Sequence, residues 1–444
     1  GCVVLLPDQQ QRRGQQALEV RRGQGHGTAG TNRQRHQGDG EPADDDSGAT
    51  DHDPILRVLL LLRRRLVGAL PVSPVPDPEA PTTRGTPFVL RVLLTLVLAF
   101  GAARLCAWLN TPIPWMLGPL LASALVSVFG APTASWIPLR NGGQWVIGAA
   151  LGLYFTPAVG VLVVGLWWAI ALGIVWALAL GLGFGVWLRR VHARQLGHLS
   201  PAQLRSTTYF AGAIGGASEM TLIAERHGAR TDLVAAAHSL RVLLVTVTIP
   251  FAMQAWGVSG LEPAPPGARA VDIVGLALLG GLTLAGILVM RRLGRANPWF
   301  MGALVATMVL TLGGVTLSAI PPALSAAAQL VIGVSLGVRF TPAFVHTAPR
   351  WLGSVALASL FMMAVCAGFA WLLSLMTGLH PATMVLGTSP GGIAEMSITA
   401  KVLQLGVPMV TAFQVCRLVA ALILAEPVYR WWVRRLSAGS DPRG

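Results

Sequence analysis

The most restrictive feature of this sequence is a series of apolar runs about twenty residues long, the length of helix that crosses a lipid bilayer. Of its 444 residues, 53% are hydrophobic and only 12% are charged. This is far more apolar than a soluble domain. We therefore predict an all-α polytopic membrane protein in contact with the lipid bilayer.

The chain is strongly basic, with a formal net charge of +14. Its arginines are concentrated in the N-terminal tail and in short loops between apolar runs, where they set the orientation of membrane helices. Because no basic helix in a soluble fold accompanies them, the sequence argues against direct binding of nucleic acid. The four cysteines and nine histidines show no metal-ligand spacing, so we predict no metal, no cofactor and no catalytic residue.

The chain divides into a tail and two similar membrane regions. Residues 1–86 lack hydrophobic periodicity and begin with a stretch rich in Gln, Arg, Gly and Asp, so we expect them to be disordered or foreign to the native protein. Residues 87–256 and 271–431 are predicted to form the first and the second membrane repeat. Residues 432–444 are predicted to be a short cytoplasmic tail.

One short motif occurs once in each repeat. The sequence GGASEM ends at residue 220 and GGIAEM ends at residue 396, and an arginine follows each glutamate at the same distance. The two pairs are Glu219 with Arg241 and Glu395 with Arg417. A carboxylate inside apolar sequence is costly to bury, which makes both glutamates candidate functional residues.

Each repeat contains six apolar elements in the same order. Basic loops in one repeat correspond to uncharged loops in the other; the loop after Arg189 is rich in arginine, for example, whereas its counterpart around His380 has none. Since arginine collects in cytoplasmic loops, this alternation predicts inverted repeats, each with an odd number of crossings. We expect the polar fifth elements, 206–225 and 382–400, to be re-entrant Gly-rich hairpins, which leaves ten spans. Twelve spans in parallel repeats are the alternative.

The two polar elements are the predicted substrate site. In inverted-repeat transporters, broken helices meet near the middle of the bilayer and point their N-termini at anionic groups. A Gly-Gly pair suits such a break because glycine permits positive φ and lets the backbone approach a ligand closely. The predicted substrate-binding residues are Gly215, Gly216, Ser218, Glu219 and Arg241 in the first repeat, and Ser389, Gly391, Gly392, Glu395 and Arg417 in the second.

Three roles are open for the repeated glutamates and arginines. They can pair with each other and neutralise buried charge. The glutamates can carry a coupled proton or Na⁺, because burial raises the pKa of a carboxyl group and a nearby arginine lowers it. The arginines can also hold a substrate carboxylate by a two-point hydrogen bond.

At PWMLGP, GGASEM and GTSPGGIAEMSITAKVLQLGVP the sequence resembles the AbrB family of bacterial integral membrane proteins, which carry a duplicated membrane domain. The resemblance covers about residues 87–431 and implies a multi-pass protein of the bacterial cytoplasmic (inner) membrane. Members carry the labels "ammonia monooxygenase" and "AbrB family transcriptional regulator". The sequence shows neither the metal or flavin motifs expected of the first label nor the DNA-reading element expected of the second.

These observations predict a transporter that moves a small anionic solute, with or without a coupled proton or Na⁺, through a midplane site made by the two Gly-Gly-x-x-Glu elements. The alternative is a membrane-embedded regulator or sensor that influences gene expression. The monooxygenase activity of the family label is a distant third. A homo-oligomer is compatible with the sequence.

Overall fold

Fifteen α-helices and no β-strand make up the part of the chain that the structure describes, a computed structural model covering residues 87–197, 199–258, 260, 270–342, 344 and 348–438. The prediction of an all-α protein is confirmed. In chain order the helices are α1 (Phe88–Trp108), α2 (Pro114–Val128), α3 (Ile137–Gly152), α4 (Pro157–Gly165), α5 (Trp167–His192), α6 (Pro201–Gly212), α7 (Ala217–Arg226), α8 (Thr231–Ala255), α9 (Ile273–Arg292), α10 (Pro298–Leu312), α11 (Pro322–Gly337), α12 (Pro349–Thr377), α13 (Pro381–Thr388), α14 (Ile393–Leu403) and α15 (Val407–Ala438).

Six of the described helices, α1, α5, α8, α9, α12 and α15, are long and apolar enough to cross a bilayer, which confirms a polytopic membrane protein. Helices α2, α3, α10 and α11 have only 15 or 16 residues. At 1.5 Å per residue they measure about 22–24 Å, less than the roughly 30 Å of the bilayer core. Helix α3 can extend into a seventh span with α4, from which it is bent by 88°. The count of ten spans, which includes these six long helices and the four short ones, stays a prediction.

Contacts between helices recur from one half of the chain to the other. Helices α1 and α2 pack together, as α9 and α10 do. Helix α3 packs against α10 in the other half, and α11 packs reciprocally against α2. The contact between α6 and α8 likewise corresponds to that between α13 and α15. The contact between α5 and α15 corresponds to that between α12 and α8. The two halves therefore make corresponding contacts, both within each half and between them.

Glycines explain how the short helices approach each other so closely. Gly148 on α3 lies against the carbonyl group of Phe300 on α10, and Gly333 on α11 lies against that of Met116 on α2. A side chain at either glycine would collide with the main chain of the neighbouring helix. Small residues at helix contacts are typical of membrane proteins, and these two occupy the same place in VIGAALG and VIGVSLG.

Both polar elements are broken in the middle. Helix α6 ends at Gly212 and α7 begins at Ala217, while α13 ends at Thr388 and α14 begins at Ile393. The long apolar element that follows α3 is also divided, into α4 and α5. Thr156 is the N-cap of α4, and its Oγ1 accepts a hydrogen bond from the backbone N–H of Val159 at 3.4 Å.

The last helix runs beyond residue 431, where the second repeat was expected to end, and continues to Ala438. Trp432 on this helix is 8% exposed and stacks on Tyr209 of α6, with 5.9 Å between the ring centroids. The C-terminal end of α15 is therefore packed against the first half. The predicted tail 1–86 and residues 439–444 lie outside the described residues.

Candidate functional site

The spacing of glycine and glutamate in the repeated motif has a local cause in the structure. The second glycine of each pair, Gly216 or Gly392, is the N-cap of the following helix, and the glutamate is the third helical residue. From this position a side chain reaches back to the helix N-terminus. Each carboxyl group lies over its own N-cap glycine, in the space that a Cβ atom would fill. The acid is thereby held at the positive end of a half-helix.

The first glycine of each pair makes room for the methionine of the motif. A Cβ on Gly215 would be 2.9 Å from Cε of Met220, and one on Gly391 would be 2.9 Å from Cγ of Met396 and from Cγ1 of Val245. None of the four motif glycines, all within the described chain, has a positive φ. The expectation that they serve a left-handed turn is therefore wrong: glycine is needed for space.

In the first half, a buried arginine satisfies the end of α6. Arg241 on α8 is 2% exposed and donates hydrogen bonds to the carbonyl oxygens of Gly212 at 3.2 Å and Ala213 at 2.8 Å. Nη2 of Arg241 also lies 2.7 Å from Nδ1 of His238. Nε2 of the same histidine lies 2.9 Å from the carbonyl oxygen of Phe210. Because a guanidinium has no acceptor, Nδ1 accepts and Nε2 carries the proton. His238 is thus a neutral, fully bonded structural residue.

The second half repeats this arrangement at the end of α13. Arg417 on α15 donates hydrogen bonds to the carbonyl oxygens of Ser389 and, at 2.7 Å, Gly391. Arg417 also donates to Oε1 of Gln414, three residues earlier on α15. In the first half His238 stands at the same distance before Arg241. Nε2 of Gln414 donates to the carbonyl oxygen of Leu386 at 2.7 Å. In both halves, side chains thus satisfy carbonyl groups that a helix end leaves without partners.

The ion pair expected between a motif glutamate and an arginine does not form. In the described part of the chain the ion pairs are His227–Glu426, Arg230–Asp232 and Arg430–Glu426. Arg241 and Arg417 donate to carbonyl groups at the breaks that follow α6 and α13. The carboxyl groups of the two glutamates lie instead over the N-terminal ends of α7 and α14. The interpretation that the two groups neutralise each other directly is therefore wrong.

Both breaks face one cavity of about 310 Å³. Eight of the ten predicted residues line it: Gly215, Gly216, Ser218, Glu219, Gly391, Gly392, Glu395 and Arg417. Arg241 and Ser389 do not line it, since Arg241 lies against the end of α6 and Ser389, 1% exposed, lies in the break itself. These two residues support the site without facing it.

Two arginines of the cavity wall were missed from the sequence. Arg140 lies near the start of α3, and Arg339 follows the end of α11. Arg140 stands in no repeated motif, and Arg339 lies in a repeated segment whose first copy has Tyr154 at that place. The duplication that revealed the glutamates therefore did not single out either arginine. Their one signal in the sequence is a charge at the end of a short apolar element. Asn141, Gln144 and Ser335 add polar groups to the same wall.

The described wall of the cavity carries more positive than negative charge. Three arginines, Arg140, Arg339 and Arg417, face two glutamates, Glu219 and Glu395. Nε of Arg417, a residue 7% exposed, and Nε of Arg140 are buried and, within the described residues, have no hydrogen-bond partner. The N-terminal N–H groups of α7 and α14 add partial positive charge. This arrangement can bind an anion.

Apart from Asn297, the remainder of the wall is apolar and could contact a hydrocarbon part of a solute. Its larger side chains come from α8, α10, α11, α14 and α15 and are Val242, Pro298, Trp299, Ile332, Leu336, Ile393 and Leu418. Among the residues described, no three His, Cys, Asp or Glu side chains lie close enough to bind a metal ion together.

Comparison with known proteins identifies the family. The model described as "Transition state regulatory protein AbrB" matches residues 115–433, more than half of the chain and all of the cavity wall. The chain is 24% identical over 372 residues to "Uncharacterized protein YhjN" of Bacillus subtilis (strain 168), a match covering 77% of this chain and 93% of that protein. It is also 24% identical over 347 residues to "Putative regulator AbrB" of Escherichia coli (strain K12), covering 76% and 94%. The chain belongs to the AbrB family.

Proposed function

We propose that this protein is a membrane transporter that binds a small anionic solute in the cavity between its two broken helices. The observation that carries the proposal is that both Gly-Gly-x-x-Glu elements, one from each half, line the same cavity together with three arginines. A duplicated pair of half-helices around a central site is the arrangement expected of a secondary transporter.

The proposal includes two inverted repeats, 87–256 and 271–431. Reciprocal packing of α3 on α10 and of α11 on α2 supports a twofold relation between the halves. The cavity is lined by Arg140 from the start of α3 and by Arg339 from the end of α11. The equivalent helices α3 and α11 thus face the cavity with opposite ends, one with its N-terminal end and the other with its C-terminal end. Two inverted repeats require this arrangement. Both arginines lie in segments that the charge rule places in the cytoplasm, so the cavity opens to that side.

An anion is favoured over a cation as the solute. The cavity holds three guanidinium groups against two carboxyl groups, and the Nε of Arg417 is a buried donor without a partner in the described chain. A carboxylate or similar anion would supply that partner and would also accept from the N–H groups of the half-helices. The volume of about 310 Å³ lies at the lower end of the range for small-molecule sites, which suits a small solute.

The arginines at the breaks also bear on the coupling ion. In sodium-coupled transporters, unwound backbone carbonyl groups bind Na⁺. Here the carbonyl oxygens of Gly212 and Ala213 accept from Arg241, and those of Ser389 and Gly391 accept from Arg417. Fixed guanidinium groups thus hold the positions where Na⁺ would bind, which favours transport without sodium.

Uptake into proteoliposomes tests the proposal. The purified full chain is reconstituted and supplied with a set of radiolabelled small mono- and dicarboxylates, with and without sodium. We expect uptake of at least one compound above empty vesicles, independent of sodium. Arg417→Gln should abolish uptake and Arg190→Gln, an exposed change on α5, should not. Equal uptake by Arg417→Gln would contradict the site.

The second candidate function is a membrane sensor or regulator that uses the same cavity without moving its ligand. The name "Putative regulator AbrB" of the Escherichia coli relative favours it. The two functions differ in one observable: a sensor binds a compound tightly and shows no flux of that compound in the proteoliposome assay.

A further inference from the structure

The two glutamates occupy the places where an anion would bind. The first turn of a helix has backbone N–H groups without intrahelical partners, and anions bind there. At α14 the carboxyl group of Glu395 lies over Gly392, and at α7 that of Glu219 lies over Gly216. A solute anion that approaches either N-terminus therefore meets a carboxylate already in position.

A second observation, independent of the helix ends, points to a ligand at this place. Arg417 is 7% exposed and lines the cavity beside both breaks, and its Nε has no hydrogen-bond partner within the described residues. Its other donors are used on Ser389, Gly391 and Gln414. A side chain that lines the cavity therefore keeps one buried donor without a partner in the described chain.

We propose that Glu219 and Glu395 are internal competitors of the solute anion, and that a proton taken up by a glutamate frees the helix N-terminus for the solute. The inference rests on the proposed anion site. One proton from water converts the carboxylate of a glutamate to a neutral carboxyl group. One solute anion then replaces that carboxylate at the backbone N–H groups of the helix and at Arg417. The net charge of the cavity is unchanged, so solute and proton cross together.

The two glutamates are not equivalent in this scheme. Glu395 is 8% exposed, whereas Glu219 is half-buried. Desolvation disfavours the charged form of a carboxyl group. We therefore assign the larger share of the proton uptake to Glu395.

The other ionisable groups around the glutamates keep the same charge state in the working range of pH. They are Arg140 on α3, Arg339 after α11 and Arg417 on α15, with Arg241 and His238 on α8 turned toward the end of α6. Helix α10 presents its first residues, Asn297 to Trp299, none of them titratable. Arginine stays protonated in proteins, so no arginine of the described wall takes up the linked proton.

Thermal unfolding of the purified full chain in detergent, with sodium bromide as the probe anion, tests the inference. The stabilisation by bromide gives an apparent Kd, because a ligand that binds only the folded state raises its stability. Bromide should bind at least about tenfold more tightly at about pH 5 than at about pH 8, since one linked proton changes affinity by up to about tenfold per pH unit.

Three variants make the test specific. In the double variant Glu219→Gln with Glu395→Gln, bromide should bind with the same affinity at both pH values, and as tightly as it binds the unaltered protein at the lower pH. Glu225→Gln, an exposed change on α7, should behave as the unaltered protein. Arg417→Gln should lose bromide binding. If the double variant does not fold, Glu395→Gln alone should remove most of the pH dependence.

The outcomes separate this inference from the proposed function. Bromide affinity that is independent of pH in the unaltered protein, or that is weaker in the glutamine variants, would overturn the competition and leave the anion site intact. No stabilisation by bromide in the unaltered protein or in the glutamine variants, at either pH, would remove the anion site itself and the proposed function with it.

Discussion

Two adjacent glycines in α3 give changes whose effects the structure separates. At Gly142 no heavy atom of another element lies within 4 Å of an added Cβ. At Gly143 the Cβ would be 2.7 Å from Cγ2 of Val331 and 2.9 Å from the carbonyl oxygen of Ala328, both on α11. Replacement by alanine favours the helix by up to about 1 kcal/mol at either position. Only Gly143→Ala also overpacks the crossing with α11, which costs about 1–3 kcal/mol.

We therefore expect the two variants to differ in free energy of unfolding by about 1–3 kcal/mol, with Gly142→Ala the more stable. In a thermal unfolding experiment in detergent, about 2 °C per kcal/mol makes this a gap of about 2–6 °C between the midpoints. Because the same crossing positions Arg140 and Arg339 at the cavity, Gly143→Ala should also weaken solute uptake. Equal midpoints, or a higher midpoint for Gly143→Ala, would refute the packing described for α3 and α11.

Three further predictions use the same protein. Arg241→Gln should lower the free energy of unfolding by at least about 2 kcal/mol, because buried carbonyl groups at the end of α6 lose a charged donor; a calorimetric midpoint equal to that of the exposed Arg190→Gln variant would contradict this. Gly391→Ala should lower the free energy of unfolding by about 1–3 kcal/mol because its Cβ meets packed side chains. Gly392→Ala displaces only the carboxyl end of Glu395 and should remove the pH dependence of bromide binding. A lower unfolding midpoint for Gly392→Ala than for Gly391→Ala would contradict this assignment. In a cysteine-free chain, Arg189→Cys and His380→Cys should react with a membrane-impermeant maleimide from opposite sides, and labelling from the same side would indicate parallel repeats.

The sequence was sufficient for the features that depend on local composition and on duplication. Apolar runs of spanning length predicted the membrane helices, and the repeated Gly-Gly-x-x-Glu-Met located both breaks, because a glycine pair followed by a charge inside an apolar segment has no simple place in an unbroken span. Eight of the ten residues named from that repeat line one cavity.

What escaped the sequence depends on how helices cross. Arg140 and Arg339 reach the cavity because α3 and α11 cross at Gly143 and present opposite ends to it, and no local pattern encodes a crossing. The partners of Arg241 and Arg417 were missed for a different reason. Carboxylates are visible in a sequence as partners for arginine, whereas an unsatisfied carbonyl group appears only when the end of a helix is known.

The most direct test of the account is a bromide anomalous-difference map from crystals of the full chain grown with sodium bromide at acidic pH. The account predicts a bromide ion in the cavity, within hydrogen-bond distance of Nε of Arg417 and between the Gly216 and Gly392 ends of the two half-helices. Bromide ions found only outside the cavity, with none between the breaks, would contradict it.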